Sequence, residues 1–217
     1  MVDRIVPAAT EESLAEIARE LGVADPCAIS CEPFIQWVIE DNFVCGRPQW
    51  ETAGVQMVEN VLPWEQMKLR MLNGSHSFLA YLGYLAGFQH ISDCMQDSAF
   101  REAAYRLMLN EQAPTLQITD VDLDQYALSL LERFANPALK HKTWQIAMDG
   151  SQKLPQRMLE GIRVHLARRS EWPLLALGVA GWMRYVSGVD DSGAAIDIRD
   201  PLSEKISALV KQSTDSE

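Results

Sequence analysis

A chain of 217 residues, 47% hydrophobic and 23% charged, can bury one sizeable core and has the composition of an ordinary globular protein. Its net charge of −11, with no basic run longer than Arg168-Arg169, argues against nucleic acid or an anionic membrane as partner. The longest apolar run, Trp172 to Met183, is interrupted by a proline and two glycines and falls short of the roughly 20 residues that span a bilayer, while five acidic residues among the first twenty exclude a signal peptide there, so a cytoplasmic protein is expected.

Thr10 precedes Glu11, Glu12 and the apolar positions Leu14, Ile17, Ala18 and Leu21, with Gly22 behind them, which predicts a capped helix over residues 11–21. Residues 23–34 carry Pro26 and Pro33 and read as an extended crossing segment. Residues 42–61 contain Gly46, Pro48 and Gly54 and alternate apolar with polar at Val55-Gln56-Met57-Val58-Glu59, the pattern of a short strand or hairpin. A long helix is then predicted from Pro63, which suits a first helical position, to about Phe88, with Glu65 placed favourably in its first turn. Further helices are predicted over 94–111, 122–134, 138–148, 154–169, 173–187 and 201–212, and disorder from Gln212 to Glu217.

The cysteines Cys27, Cys31, Cys45 and Cys94 form no paired C-x-x-C arrangement, and the histidines His76, His90, His141 and His165 form no metal-binding pair; reduced thiols and a metal-free protein are expected.

The helix from Pro63 is the informative one. At about 100° per residue, Asn73 lies roughly 140° round from Lys68 and His76 roughly 80°, so one broad face carries an amine, an amide and an imidazole beside a stripe of Leu69, Leu72, Leu79 and Leu82. Gly74 and Gly83 each cost roughly 1 kcal/mol against alanine inside a helix, which predicts a close approach to that backbone. Spacing alone is equally served by a buried helix whose Lys68 snorkels, whose Asn73 bonds a loop and whose His76 is a satisfied core histidine.

The run Lys68-x4-Asn73-x2-His76, continuing through Ser77-Phe78-Leu79-Ala80-Tyr81-Leu82-Gly83-Tyr84, resembles the catalytic helix of the mannitol dehydrogenase family, the polyol-specific long-chain dehydrogenases. Blocks at Met1–Pro7, Glu32–Asp41, Arg133–Pro137 and Asp149–Lys153 resemble the same family in the same order. The resemblance implies a mainly all-α, multi-helical C-terminal substrate domain like that of 6-phosphogluconate dehydrogenase, spanning residues 1–217, with room for one short β-hairpin. It implies NAD as cofactor, a sugar acid or polyol as substrate, Lys68, Asn73 and His76 as catalytic groups, and Arg133, Asn136, Lys140, His141 and Lys153 as substrate-binding groups. Arg133 and Lys140 serve equally to complement helix ends, and Arg157 is a weaker candidate beside Lys153.

No G-x-G-x-x-G follows a strand-like segment. The family's N-terminal Rossmann domain is therefore expected to be missing, the chain to be a fragment and inactive alone, and the Rossmann domain to be its partner. The whole pattern looks closest to the fructuronate reductase and mannonate oxidoreductase branch, whose sugar acid calls for a cation opposite its carboxylate. A mannitol- or arabinitol-type 2-dehydrogenase domain, or a helical fragment without catalysis, are the alternatives.

Overall fold

The computed structural model describes residues 1–214, with side chains through Gln212. The chain is mainly helical, and its strands gather near the N-terminus. Strands β1 (Val2–Asp3), β2 (Gln36–Glu40) and β3 (Gln56–Val58) form one small sheet in that order. β1 is antiparallel to β2, with Val2 opposite Trp37, whereas β3 runs parallel to β2, with Val38 opposite Gln56. Of the expected short strand or hairpin, the strand is present as β3, and its neighbour is the parallel β2. Parallel strands need a crossover connection, and residues 41–55 supply one through a 3₁₀ turn at Trp50–Ala53 and an Arg47 guanidinium shared by Asp41 and Glu51.

Helix α1 (Glu11–Leu21) has the predicted bounds. The Thr10 hydroxyl accepts from the Ser13 amide, the Ser13 hydroxyl accepts from the Thr10 amide, and Gly22 closes the helix at φ 70°.

The long central helix forms in three parts: α2 (Leu62–Met67), a π-helical stretch at Lys68–Gly74, and α3 (Ser75–Leu85). Met67, Met71, Leu72, Phe78, Leu79 and Tyr81 along it are buried. Around it lie α4 (Ile91–Gln96), α5 (Ser98–Arg106), α6 (Leu123–Phe134), α7 (Thr143–Ala147), α8 (Gly150–Leu154), α9 (Glu160–Arg168), α10 (Pro173–Tyr185) and α11 (Ser203–Thr214). α3 packs between α7 and α10.

Several predicted helices are subdivided. The 94–111 helix breaks at Asp97, whose extended backbone lets its carboxylate accept from the Ala99 and Phe100 amides at the start of α5; a π stretch at Leu107–Gln112 follows. The 138–148 helix shrinks to α7, because Pro137–Leu139 winds as a 3₁₀ turn that ends at Lys140 with φ 46°. The 154–169 helix is α8, a π stretch at Pro155–Leu159, and α9. α11 carries helix through Gln212 to Thr214, where disorder was expected; residues 215–217 lie outside the described residues. No described helix is long and apolar enough to cross a membrane.

The two helical glycines do permit close approach. A Cβ on Gly74 would lie 2.8 Å from both the Arg157 carbonyl oxygen and Gln112 Nε2, and one on Gly83 would lie 2.5 Å from Cys94 Sγ.

Candidate active site on the central helix

Lys68 opens the π stretch and Asn73 lies five residues on. A π turn closes i→i+5 rather than i→i+4, so it brings Asn73 back over Lys68 instead of leaving it far round the helix. His76 follows three residues later, at the spacing of facing neighbours on the resumed α-helix. The Lys68 ammonium nitrogen is 2.6 Å from the Val2 carbonyl oxygen, which it reaches from across the fold. Burial pushes the Lys68 pKa down; Arg133 and Arg157 push the same way, against Asp3 and Glu65.

Asn73 and His76 carry polar side-chain atoms without a partner among the described residues. The Asn73 carboxamide makes no hydrogen bond to another described residue, and its Oδ1 is buried. Neither ring nitrogen of His76 is bonded to a described residue, although the ring is held firmly: it stacks on Phe134 at 4.4 Å and meets His141 edge-on at 5.2 Å. Burial, then His141, Arg157 and Arg133, hold the His76 pKa well below the usual histidine value, so the ring is neutral. His141 is pushed down to about 4 by burial and by Lys153, and its Nδ1 is a buried atom without a partner. The cavity that His76 and His141 share with Arg133 and Asn136 is about 10 Å³. That is the lower limit for one water and far too small for a sugar.

The expected substrate cations separate sharply. Arg133 is 8% exposed and uses four of its five donors on two carboxylates: Nε and Nη2 donate to both Glu32 oxygens at 2.9 and 2.7 Å, Nη2 and Nη1 donate to both Asp3 oxygens at 2.6 and 3.2 Å, and the guanidinium lies 4.0 Å over the Phe34 ring. The Tyr126 hydroxyl adds a third donor to Asp3. A guanidinium already clamped by two carboxylates keeps only one Nη1 N–H and cannot offer a substrate carboxylate the usual two-pronged grip. Lys140 is on the surface, paired with Glu16 at 3.0 Å, and Asn136 caps the turn at Pro137–Leu139 through Oδ1. Lys140 stays apart from the polar cluster, whereas Asn136 lines the small cavity beside His76 and His141. Lys153 does stay close to it: its ammonium donates to the Met148 and Ile146 carbonyls, Asp149 is 4.0 Å away, and its charge is felt at His141.

The sequence reading passed over Asp3 and Tyr126 as site-forming groups. Asp3 sits in the Met1–Pro7 block, so the block was visible while the partner across the fold was not. Among the described residues no cluster of His, Cys, Asp or Glu is placed to hold a metal ion, and all four cysteines are unpaired.

The family profile for the mannitol dehydrogenase C-terminal domain matches residues 60–217. The chain belongs to the mannitol dehydrogenase family. The profile for that family's Rossmann domain matches residues 1–52, so the two profiles divide the chain ahead of α2, where the sequence reading took all 217 residues as one domain. The chain is 80% identical over 214 residues to an uncharacterized oxidoreductase of Escherichia coli, YeiQ, covering 99% of this chain and 44% of that protein. It is 65% identical over 203 residues to the D-mannonate oxidoreductase of the same organism, covering 93% and 42%. Among solved structures, mannitol 2-dehydrogenase of Pseudomonas fluorescens, in a ternary complex with NAD and D-mannitol, matches with a TM-score of 0.90 and 39% identity over 97% of this chain and 43% of that one. The chain thus spans under half the length of the relatives it matches.

Proposed function

We propose that this chain is the substrate half of an NAD-dependent oxidoreductase that interconverts a sugar acid and its keto form, D-mannonate and D-fructuronate, with Lys68 as the general acid–base. The observation that carries the reading is one π stretch that holds both a half-buried, singly anchored lysine and an asparagine with no protein partner, followed by a neutral histidine with both ring nitrogens unbonded. Identity with the D-mannonate oxidoreductase favours the sugar acid over mannitol.

NAD supplies the hydride acceptor in such a reaction. The described residues offer it no phosphate cradle, since their positive-φ glycines stand singly in turns and none opens a helix after a strand. What this chain contributes is the handling of the proton and of the oxygen that loses it. A lysine is normally too basic to accept a proton near neutrality, and desolvation brings it towards that range. Donating one N–H to the Val2 carbonyl orients the amine and leaves its lone pair for the substrate hydroxyl. The Asn73 amide then donates to the oxygen as charge develops, a contact worth about 2.7–4 kcal/mol at comparable sites. His76, neutral and fixed by Phe134, bonds the reacting or neighbouring hydroxyl. In the reducing direction Lys68 returns the proton.

With Arg133 clamped and Lys140 remote, Lys153 is the cation we assign to the substrate carboxylate. The test is NADH-linked reduction of fructuronate and fructose side by side by the full-length enzyme. Turnover of fructuronate with little of fructose is the expected result. Preference for fructose would overturn the sugar-acid assignment and make this a mannitol-type enzyme.

A further inference from the structure

Three π stretches, Lys68–Gly74, Leu107–Gln112 and Pro155–Leu159, converge on Gly74. Gln112 Nε2 donates to the Arg157 carbonyl at 3.1 Å, and both groups rest against the Gly74 backbone where no Cβ intervenes. The Arg157 side chain turns back onto the central helix. Its Nη1 donates to the Ser77 hydroxyl at 3.0 Å and, over a longer 3.4 Å, to the Asn73 carbonyl.

This guanidinium has no carboxylate within ion-pair distance among the described residues, unlike Arg133 with its two, and its Nε is buried without a partner. A buried cation without a counter-charge is costly and is kept where its position serves something else.

We propose that Arg157 is a positioning residue for catalysis: by gripping the helix at Asn73 and Ser77 it fixes the π turn that presents Lys68 and Asn73, and it places an uncompensated positive charge beside the catalytic groups. The inference rests on the reading of Lys68 as the base. Burial pushes Arg157 down to about 10, which leaves it charged near neutrality. Its charge then opposes protonation of Lys68, of His76 and of Lys153. At Lys68 the other charged groups are Arg133, which acts in the same direction, and Asp3 and Glu65, which act against it. Tyr81 faces Arg157 itself, with its own pKa raised by burial.

Removing the Arg157 charge therefore raises the Lys68 pKa. In the oxidative direction Lys68 must be neutral, so the rising limb of the pH–rate profile moves to higher pH. The experiment uses the full-length enzyme as wild type, Arg157→Gln and Arg157→Lys. The Lys68 titration is read by competitive acetylation with acetic anhydride and mass spectrometry, which needs no turnover, and kcat and KM are measured beside it. Arg157→Gln should raise the labelling midpoint and the kinetic limb together, in the same direction and by the same amount. Arg157→Lys should hold the midpoint near wild type while kcat falls on the order of tenfold to a hundredfold, since the ammonium cannot reproduce the fork that orients the turn.

Wild-type midpoints and kcat in both variants would overturn the inference. So would an activity loss in Arg157→Gln with an unmoved midpoint and no better retention of kcat in Arg157→Lys, the pattern of a purely structural residue. If Arg157→Gln does not fold, Arg157→Lys and Ser77→Ala, which each remove hydrogen bonding and keep a cation, carry the test; a wild-type kcat in both refutes it. An active Lys68→Ala enzyme would refute the base assignment instead, and leaves the labelling result for Arg157 readable.

Discussion

Lys68 Nζ lies 2.6 Å from the Val2 carbonyl oxygen, a bond between residues 66 positions apart that joins the stretch matched by the Rossmann profile to the helix matched by the C-terminal profile. The residue after Val2, Asp3, carries the buried ion pair to Arg133. Two residues of the shortest strand thus anchor the lysine proposed as the base and neutralise a buried guanidinium.

Replacing Lys68 with alanine in the full-length enzyme should lower kcat by about 10²–10⁴-fold or more while the circular dichroism spectrum and melting temperature stay near wild type. The side chain is partly exposed and its one bond is to a carbonyl on the surface side, so its loss leaves no buried charge. Steady-state rates of the purified variant check this, and a rate within a few fold of wild type excludes Lys68 as the base.

Arg133→Met should act on stability before it acts on substrate choice. It leaves Asp3 and Glu32 buried, at 0% and 2% exposure, without their shared counter-charge. Breaking a buried pair from one side costs about 3–5 kcal/mol. Urea denaturation should show that loss, and the ratio of kcat/KM for fructuronate to that for fructose should not change. A selective loss of the acid would return Arg133 to the substrate.

Gly74→Ala would gain about 1 kcal/mol in an ordinary helix. Here the added methyl meets a carbonyl oxygen and an amide nitrogen at 2.8 Å, and the Arg157 carbonyl belongs to backbone that cannot swing aside. Overpacking of this kind costs about 1–3 kcal/mol. The expected net result is a lower urea midpoint together with reduced kcat, because the π turn must shift to make room.

Stability should fall with acid through the two ring neighbours. His141, at about 4, and His76 are both held below the ordinary histidine value near 6.5. Above about pH 6.5 both folded and unfolded chains carry neutral rings and neither histidine affects stability. As pH drops below that, the unfolded chain takes up protons that the fold refuses, and each such ring costs about 1.4 kcal/mol per pH unit until its folded value is reached. Urea titrations from pH 7.5 to 4.5 should show the decline. His141→Asn should flatten it by about one proton; an unchanged slope would show that His141 is not held neutral.

The sequence made the central helix legible because its pattern is local: Pro63 at the start, an apolar stripe, and two glycines that signalled close contact. The bounds of α1 were legible for the same reason, with cap, stripe and terminal glycine all within a few residues. What escaped was set by partners far away in the chain. The π stretch leaves no mark in a 3.6-residue periodicity, so Asn73 was placed too far round from Lys68. Arg133 read as a free cation because its two carboxylates, Asp3 and Glu32, lie 130 and 101 positions off. Alternation identified the strand at Gln56–Val58 without naming its neighbour, which is the parallel strand β2.

The register of β1 on β2 acquires a chemical meaning from this arrangement. Alternate residues of a strand point to opposite faces, so a slip of one position would exchange the whole set. With Val2 opposite Trp37 and Asp3 opposite Gln36, the carboxylate reaches Arg133 while the preceding carbonyl reaches Lys68. One notch of slippage would withdraw the carboxylate from the core, leave the Arg133 guanidinium to Glu32 alone and leave the amine unaimed. On the proposed assignment of Lys68 as the base, the pairing of two short strands would act as its alignment pin, and a lesion in that pairing should read out as lost turnover together with lost stability.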